Sequence, residues 1–129
     1  MAYRFDSFYI GGAWAKPSTT DVLTLENPAT RAPFATVPDA TPADAVAAIE
    51  AAASALPAWS ATPLAKRVEL MQKALEIFKT YRDEIIRLEA LELGAPVSYS
   101  ANAHCDYQFT RIESYIRESQ KVVLEEQFE

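Results

Sequence analysis

The chain has 129 residues, 50% of them hydrophobic and 11% aromatic, which is one domain's length with a modest core. Twelve basic residues against eighteen acidic leave a formal charge of −6, which argues against a nucleic-acid partner. A single cysteine makes no internal disulfide and fits a reducing cytosol, and no apolar run is long enough to span a membrane. The expectation is a soluble cytoplasmic domain.

The N-terminus "MAYRFDSFYIGG" carries an Asp and no apolar segment, so it does not read as a signal peptide. In "FYIGGAWAK" two extended, aromatic-bearing runs flank Gly11-Gly12, the pattern of a hairpin with a tight primed turn. "VLTLENP" alternates Val22, Thr24 and Glu26 against Leu23 and Leu25, a half-buried strand ended by Asn27-Pro28. "FATVP" follows as another short run. Residues 1–40 are therefore expected to form a small antiparallel β-meander. Tyr3, Phe5, Phe8, Tyr9 and Trp14 would supply its core or dock on a neighbouring surface.

From Thr41 the hydrophobic period changes from that of a strand to that of a helix. "TPAD" places Thr41 as N-cap, Pro42 at the first helical position and Asp44 three residues after the cap. Val46, Ile49, Ala53 and Leu56 form one apolar stripe, with Pro57 expected to end the helix. A second helix starts at "TPLAKR", with Thr62 as cap and Pro63 at its first position. Its stripe is Leu64, Val68, Met71, Leu75 and Phe78, continuing through Ile85 and Leu88. A break is expected within "FKTYRDE", and Gly94 and Pro96 stop the run. A third helix after "GAP" buries Ala101, Cys105, Phe109, Ile112 and Ile116. The helical region covers 41–121, and "KVVLEEQFE" then turns strand-like at Val122, Val123 and Leu124, so that 122–129 reads as an element begun and not closed.

The tempting chemistry is "AHCD", where the only histidine, His104, and the only cysteine, Cys105, precede Asp106. Consecutive helical residues diverge, so the three cannot converge as a nucleophile, base and orienting carboxylate. Cys105 falls on the buried stripe, where cysteine acts as a small hydrophobe. One His and one Cys build no zinc site. Gly11, Gly12 and Gly94 are the only glycines, so no phosphate-cradling loop or dinucleotide fingerprint is present. Glu89 and Glu92 share a helix face, a spacing compatible with acid–base work but commoner on a solvated surface. The residues alone give an α+β domain with no catalytic centre of its own.

Taken together in order, "FYIGGAWAKP", "LENPATRAPFATVPDATPADAVAAIEAAASALPAWSATPLAKR" and "LEALELGAP" resemble the N-terminal region of aldehyde dehydrogenases, over essentially the whole chain. The resemblance implies that residues 1–129 are the N-terminal part of a Rossmann-like α/β cofactor-binding domain. It implies a parent enzyme that oxidises an aldehyde to a carboxylic acid with NAD or NADP and assembles as a homo-oligomer. The family's attacking cysteine, activating glutamate, oxyanion-assisting asparagine and main cofactor residues lie beyond the matched segment. The fragment is therefore expected to be inactive, not to bind the cofactor, and not to use Cys105 as a nucleophile. By the same resemblance Ala103 and Tyr107 line the substrate tunnel. Glu92, with the backbone carbonyl near Leu25, holds a structural monovalent cation, and 122–129 begins an arm that bridges subunits. The competing expectation is a stand-alone helical scaffold or interaction module derived from that enzyme. Either way the "VVL" run is an edge for self-association.

Overall fold

A computed structural model describes residues 3–122 of the chain. They form five strands, β1 (Tyr3–Arg4), β2 (Phe8–Ile10), β3 (Ala13–Ala15), β4 (Val22–Glu26) and β5 (Pro33–Pro38). Helices follow: α1 (Pro42–Ala61), α2 (Leu64–Thr80), α3 (Arg82–Glu92), α4 (Val97–Tyr99), a π-helical segment (Ser100–Asp106) and α5 (Tyr107–Ser119). The expected α+β composition is what the chain adopts. The chain divides into two compact units, Met1–Ala61 with Leu91–Gly94, and Thr62–Ala90 with Ala95–Glu129. The expected arm at 122–129 lies outside the described residues apart from Val122, which is exposed.

In the first unit the hairpin forms as read. Phe8 pairs with Ala15, Tyr9 with Trp14 and Ile10 with Ala13, while Gly11 and Gly12 hold φ of 61° and 83°. Only residues without a Cβ enter that primed turn freely. Tyr9 and Trp14 meet edge-to-face, ring centroids 5.2 Å apart. The strands do not make one continuous meander, however. β4 and β5 pair antiparallel, but β1 joins β5 in parallel, giving a three-stranded sheet in the order β1-β5-β4 that is separate from the hairpin. The chain leaving β3 is instead tied to the start of α1. Ser18 N–H donates to Asp44 Oδ1 (3.0 Å) and Ser18 Oγ to Asp44 Oδ2 (3.0 Å).

Those bonds complete a reciprocal cap. Thr41 N–H donates to Asp44 Oδ2 at 2.9 Å, and Asp44 N–H donates to Thr41 Oγ1 at 3.3 Å. The Thr41 backbone N–H, helped by those of Ser18 and by the two hydroxyls, holds the Asp44 carboxyl below the usual carboxylate range. Pro57 does not end α1, which continues to Ala61. One ladder bond is lost there, and the alanine-rich sequence around it favours the helix enough to carry on. The stripe Val46, Ile49 and Leu56 exists but is 51%, 68% and 60% exposed, and no described residue of α1 is buried. Ala35, on the central strand β5, is the buried apolar residue of this unit, at 1% exposure.

The second unit has the larger core. Val68 and Leu75 of α2, Ile86 of α3, Cys105 of the π segment and Phe109 and Ile116 of α5 are buried together. Pro63, not Thr62, sits at the N-cap of α2, with its carbonyl accepting from Lys66 N–H (2.9 Å) and Arg67 N–H (3.1 Å). The expected break falls at Tyr81, whose N–H bonds to Phe78 O at 3.0 Å. That short turn resets the helical phase, so Ile86 is buried and Ile85 only partly. Gly94, in the first unit, follows α3 at φ 72°.

Candidate functional site

Pro96 opens the helical stretch that carries the sequence's most reactive residue types. Its φ of −56° and ψ of 134° set the N-cap of α4, and its carbonyl accepts from Tyr99 N–H (2.9 Å) and Ser100 N–H (3.0 Å). At Ser100 the ladder widens to π-helical spacing, and Tyr107 N–H reaches back five residues to Asn102 O. The side chains sunk deepest are accordingly five apart, Ser100 at 0% and Cys105 at 2% exposure. An α-helical reading anticipates a spacing of three or four. The residues at 101, 105, 109, 112 and 116 still face the core, with Ala101 and Ile112 partly buried.

His104, Cys105 and Asp106 go three different ways, as the divergence of neighbouring side chains requires. His104 Nδ1 bonds Glu89 Oε1 on α3, and its ring meets that of Tyr99 edge-to-face with centroids 4.7 Å apart. Asp106 receives two parallel bonds from Arg82 on α3, Nε to Oδ1 and Nη2 to Oδ2, each 2.7 Å. That guanidinium holds the Asp106 carboxyl below its usual range, and Asp106 in turn raises the basicity of Arg82. Cys105 is left alone in the core, where burial foremost and then the nearby Asp106 charge push its thiol pKa up. A thiol so placed is the reverse of an activated nucleophile.

The sequence offers no sign of Arg82, and of Glu89 only its shared face with Glu92. Arg82 and Glu89 are seven apart, two turns on one face of α3, with opposite charges aimed at partners two residues apart on the π segment. Glu89 therefore does not form a solvated acid–base pair with Glu92. Its Oε2 and the Ser100 hydroxyl are buried without a hydrogen-bond partner. Glu92 closes α3 and is exposed, while Leu25 is half-buried in β4, where the register shifts between Leu25 and Glu26. Among the described residues no group of three or more His, Cys, Asp or Glu stands together to hold a metal. No helix of the described residues is long and apolar enough to cross a membrane.

Ala103 is half-buried inside the π segment, and Tyr107 is the first residue of α5 and 57% exposed. Because the ladder between them is π-helical, the two are not stacked as i and i+4 residues of an α-helix would be. Tyr107 instead stacks forward along α5. The Arg111 guanidinium lies 5.7 Å from the centre of its ring and 5.6 Å from that of Tyr115.

The sequence profile described as "Aldehyde dehydrogenase family" matches residues 14–128. Glutarate-semialdehyde dehydrogenase of Pseudomonas putida is 32% identical over 114 residues, covering 88% of this chain and 24% of that enzyme. Phenylacetaldehyde dehydrogenase of Pseudomonas fluorescens is 34% identical over 93 residues, covering 70% of this chain and 18% of its own length. The crystal structure of Mycobacterium tuberculosis aldehyde dehydrogenase complexed with NAD+ superposes with a TM-score of 0.90 at 31% identity, covering 98% of this chain and 26% of that one. The chain thus spans about a quarter or less of the length of the relatives it matches.

Proposed function

The chain belongs to the aldehyde dehydrogenase family, and from that premise we propose that it is the N-terminal segment of an enzyme that oxidises an aldehyde to a carboxylic acid with NAD or NADP. The observation that supports this best is the collinear likeness over nearly the whole chain to a solved aldehyde dehydrogenase bound to NAD+. Bound by residues outside this segment, the cofactor would supply the two-electron oxidant, while water would supply the second oxygen of the acid and two protons would be released.

The residues described here do not themselves fit the cofactor. Gly11 and Gly12 are spent on a hairpin turn and Gly94 on the end of α3, so none opens a helix as a phosphate cradle. Cys105 is buried with a raised pKa, and among the described residues no hydrogen bond ties its thiol to a base. In this proposal the segment alone is inactive, a part of the cofactor-binding domain that lends walls to a site completed elsewhere. In this reading Ala103 and the exposed Tyr107 border the substrate tunnel, and Glu92 with the Leu25 carbonyl belongs to a monovalent-cation site. The whole enzyme is a cytoplasmic homo-oligomer.

The test is a pair of assays for NAD(P)H with a panel of aldehydes. The purified 129-residue chain should give none, and the same segment joined to the family's catalytic region should turn over. Turnover by the isolated chain would refute the division of labour, and failure of the joined protein with every aldehyde would refute the activity.

A further inference from the structure

We propose that Arg111, clamped between Tyr107 and Tyr115 on α5, anchors a carboxylate of the substrate, so that the aldehydes oxidised are those carrying an acidic tail. The inference rests on the reading of Tyr107 as a tunnel residue. It adds the substrate class, which likeness leaves open: one relative is named for an aldehyde with a carboxylate and another for one without.

Tyr107, Arg111 and Tyr115 are four apart on α5 and share one face. The guanidinium sits 5.7 Å and 5.6 Å from the two ring centres, and its Nη2 donates to the Tyr115 hydroxyl at 2.8 Å. Stacking and that one bond fix where the charge stands without neutralising it. The chain carries a net −6, and the acidic residues of α5 are Glu113 and Glu118, two and seven positions from Arg111. Yet Glu113 pairs with Lys79, and Glu118 with Arg117 and Lys121. Among the described residues Arg111 has no ion-pair partner.

A guanidinium has five N–H donors in a rigid fork, and Arg111 spends one on Tyr115. The remainder suits two parallel bonds to a carboxylate. Tyr115, accepting from Arg111, keeps its own O–H to donate, and both tyrosines are open to a ligand, at 57% and 62% exposure. An uncharged aldehyde would meet the same face through the rings alone. The arrangement therefore discriminates by the charge at the far end of the substrate.

The experiment uses the protein in which this segment is joined to its catalytic region. Glutarate semialdehyde and pentanal, of equal carbon number, are compared in the wild type, Arg111→Met and Arg111→Lys. The ratio of kcat/KM for the semialdehyde over pentanal should fall about ten- to a hundredfold in Arg111→Met, through KM, with partial recovery in Arg111→Lys. An unchanged ratio, or a wild type that favours pentanal, overturns the anion anchor while leaving aldehyde oxidation standing. A wild type that oxidises neither overturns the functional reading instead. In that event glutarate binding by calorimetry still decides the role of Arg111: binding lost in Arg111→Met supports it, and absence of binding to the wild type overturns it.

Discussion

Gly94 is where one hydrogen atom in place of a methyl carries the most structural weight. Its φ is 72°, and a Cβ built on it would stand 2.7 Å from Pro28 Cγ and 3.5 Å from Pro28 Cβ. The Gly94→Ala change therefore faces two separable costs. The left-handed backbone costs an alanine about 1–2 kcal/mol. The Pro28 contact is roughly 1 Å inside ordinary carbon–carbon separation, an overpacking that costs about 1–3 kcal/mol because a proline ring has little freedom to yield. Gly12 supplies the internal control, since its φ of 83° carries the first cost while its Cβ would meet nothing within 4 Å. In urea unfolding followed by circular dichroism, Gly12→Ala should lose no more than about 1–2 kcal/mol and Gly94→Ala about 2–5 kcal/mol. Pairing Gly94→Ala with Pro28→Ala, which removes the Cγ, should return most of the excess in a double-mutant cycle. Equal losses at Gly12 and Gly94, or a cycle with no coupling, would sink the reasoning.

Two further outcomes follow from the helical unit. The Asp106 carboxyl, bonded to Arg82, titrates lower in the folded chain than in the unfolded one. It therefore stabilises the fold above pH about 4, and that contribution is lost as the pH falls through the lowered value. Asp106→Asn should flatten this acid limb of a stability-against-pH curve and destabilise the chain at neutral pH; an unaltered acid limb would count against the pairing. Cys105, buried and with its thiol pKa pushed up, should react with iodoacetamide at neutral pH far more slowly in the native chain than in denaturant. Similar rates in the two states would show that the thiol is neither buried nor raised in pKa.

Much of the fold is legible because it rests on local rules. The Gly11-Gly12 turn and the Thr41–Asp44 cap follow from residues with strong local preferences, and the break within 78–84 from a helical run too long for one globular helix. The parallel pairing of β1 with β5 is not legible in this way, because Tyr3 and Ala35 are distant in sequence and no turn between them sets the register. Pro57 misleads for a related reason: a residue that breaks helices is outweighed by its alanine-rich neighbours. The stripe of α1 shows a further limit. Its periodicity correctly marks a helix face, yet Ile49 is 68% exposed, since a pattern encodes a surface made for burial and does not say what buries it.

The stretch from His104 to Asp106 separates two kinds of sequence argument. Excluding a catalytic triad needed only that adjacent side chains diverge, and divergence holds for a π-helix as for an α-helix. Naming where each side chain goes needed the partner helix. Arg82 and Glu89 acquire their roles only once α3 lies beside the π segment, so the composition of "AHCD" held nothing about them. The π segment itself left one trace, the full burial of Ser100 five residues before Cys105, but a small polar residue on a helix does not announce that it will be buried. Glu89 and Arg82 then hold His104 and Asp106 on the α3 side, while Tyr107 and Arg111 remain exposed. The residue types that looked like an active site are thus consumed in fixing a helix, and the face left free is the one with a cation between two tyrosines. For a segment whose chemistry is completed by other residues, the informative side chains are those that its own packing leaves unspent.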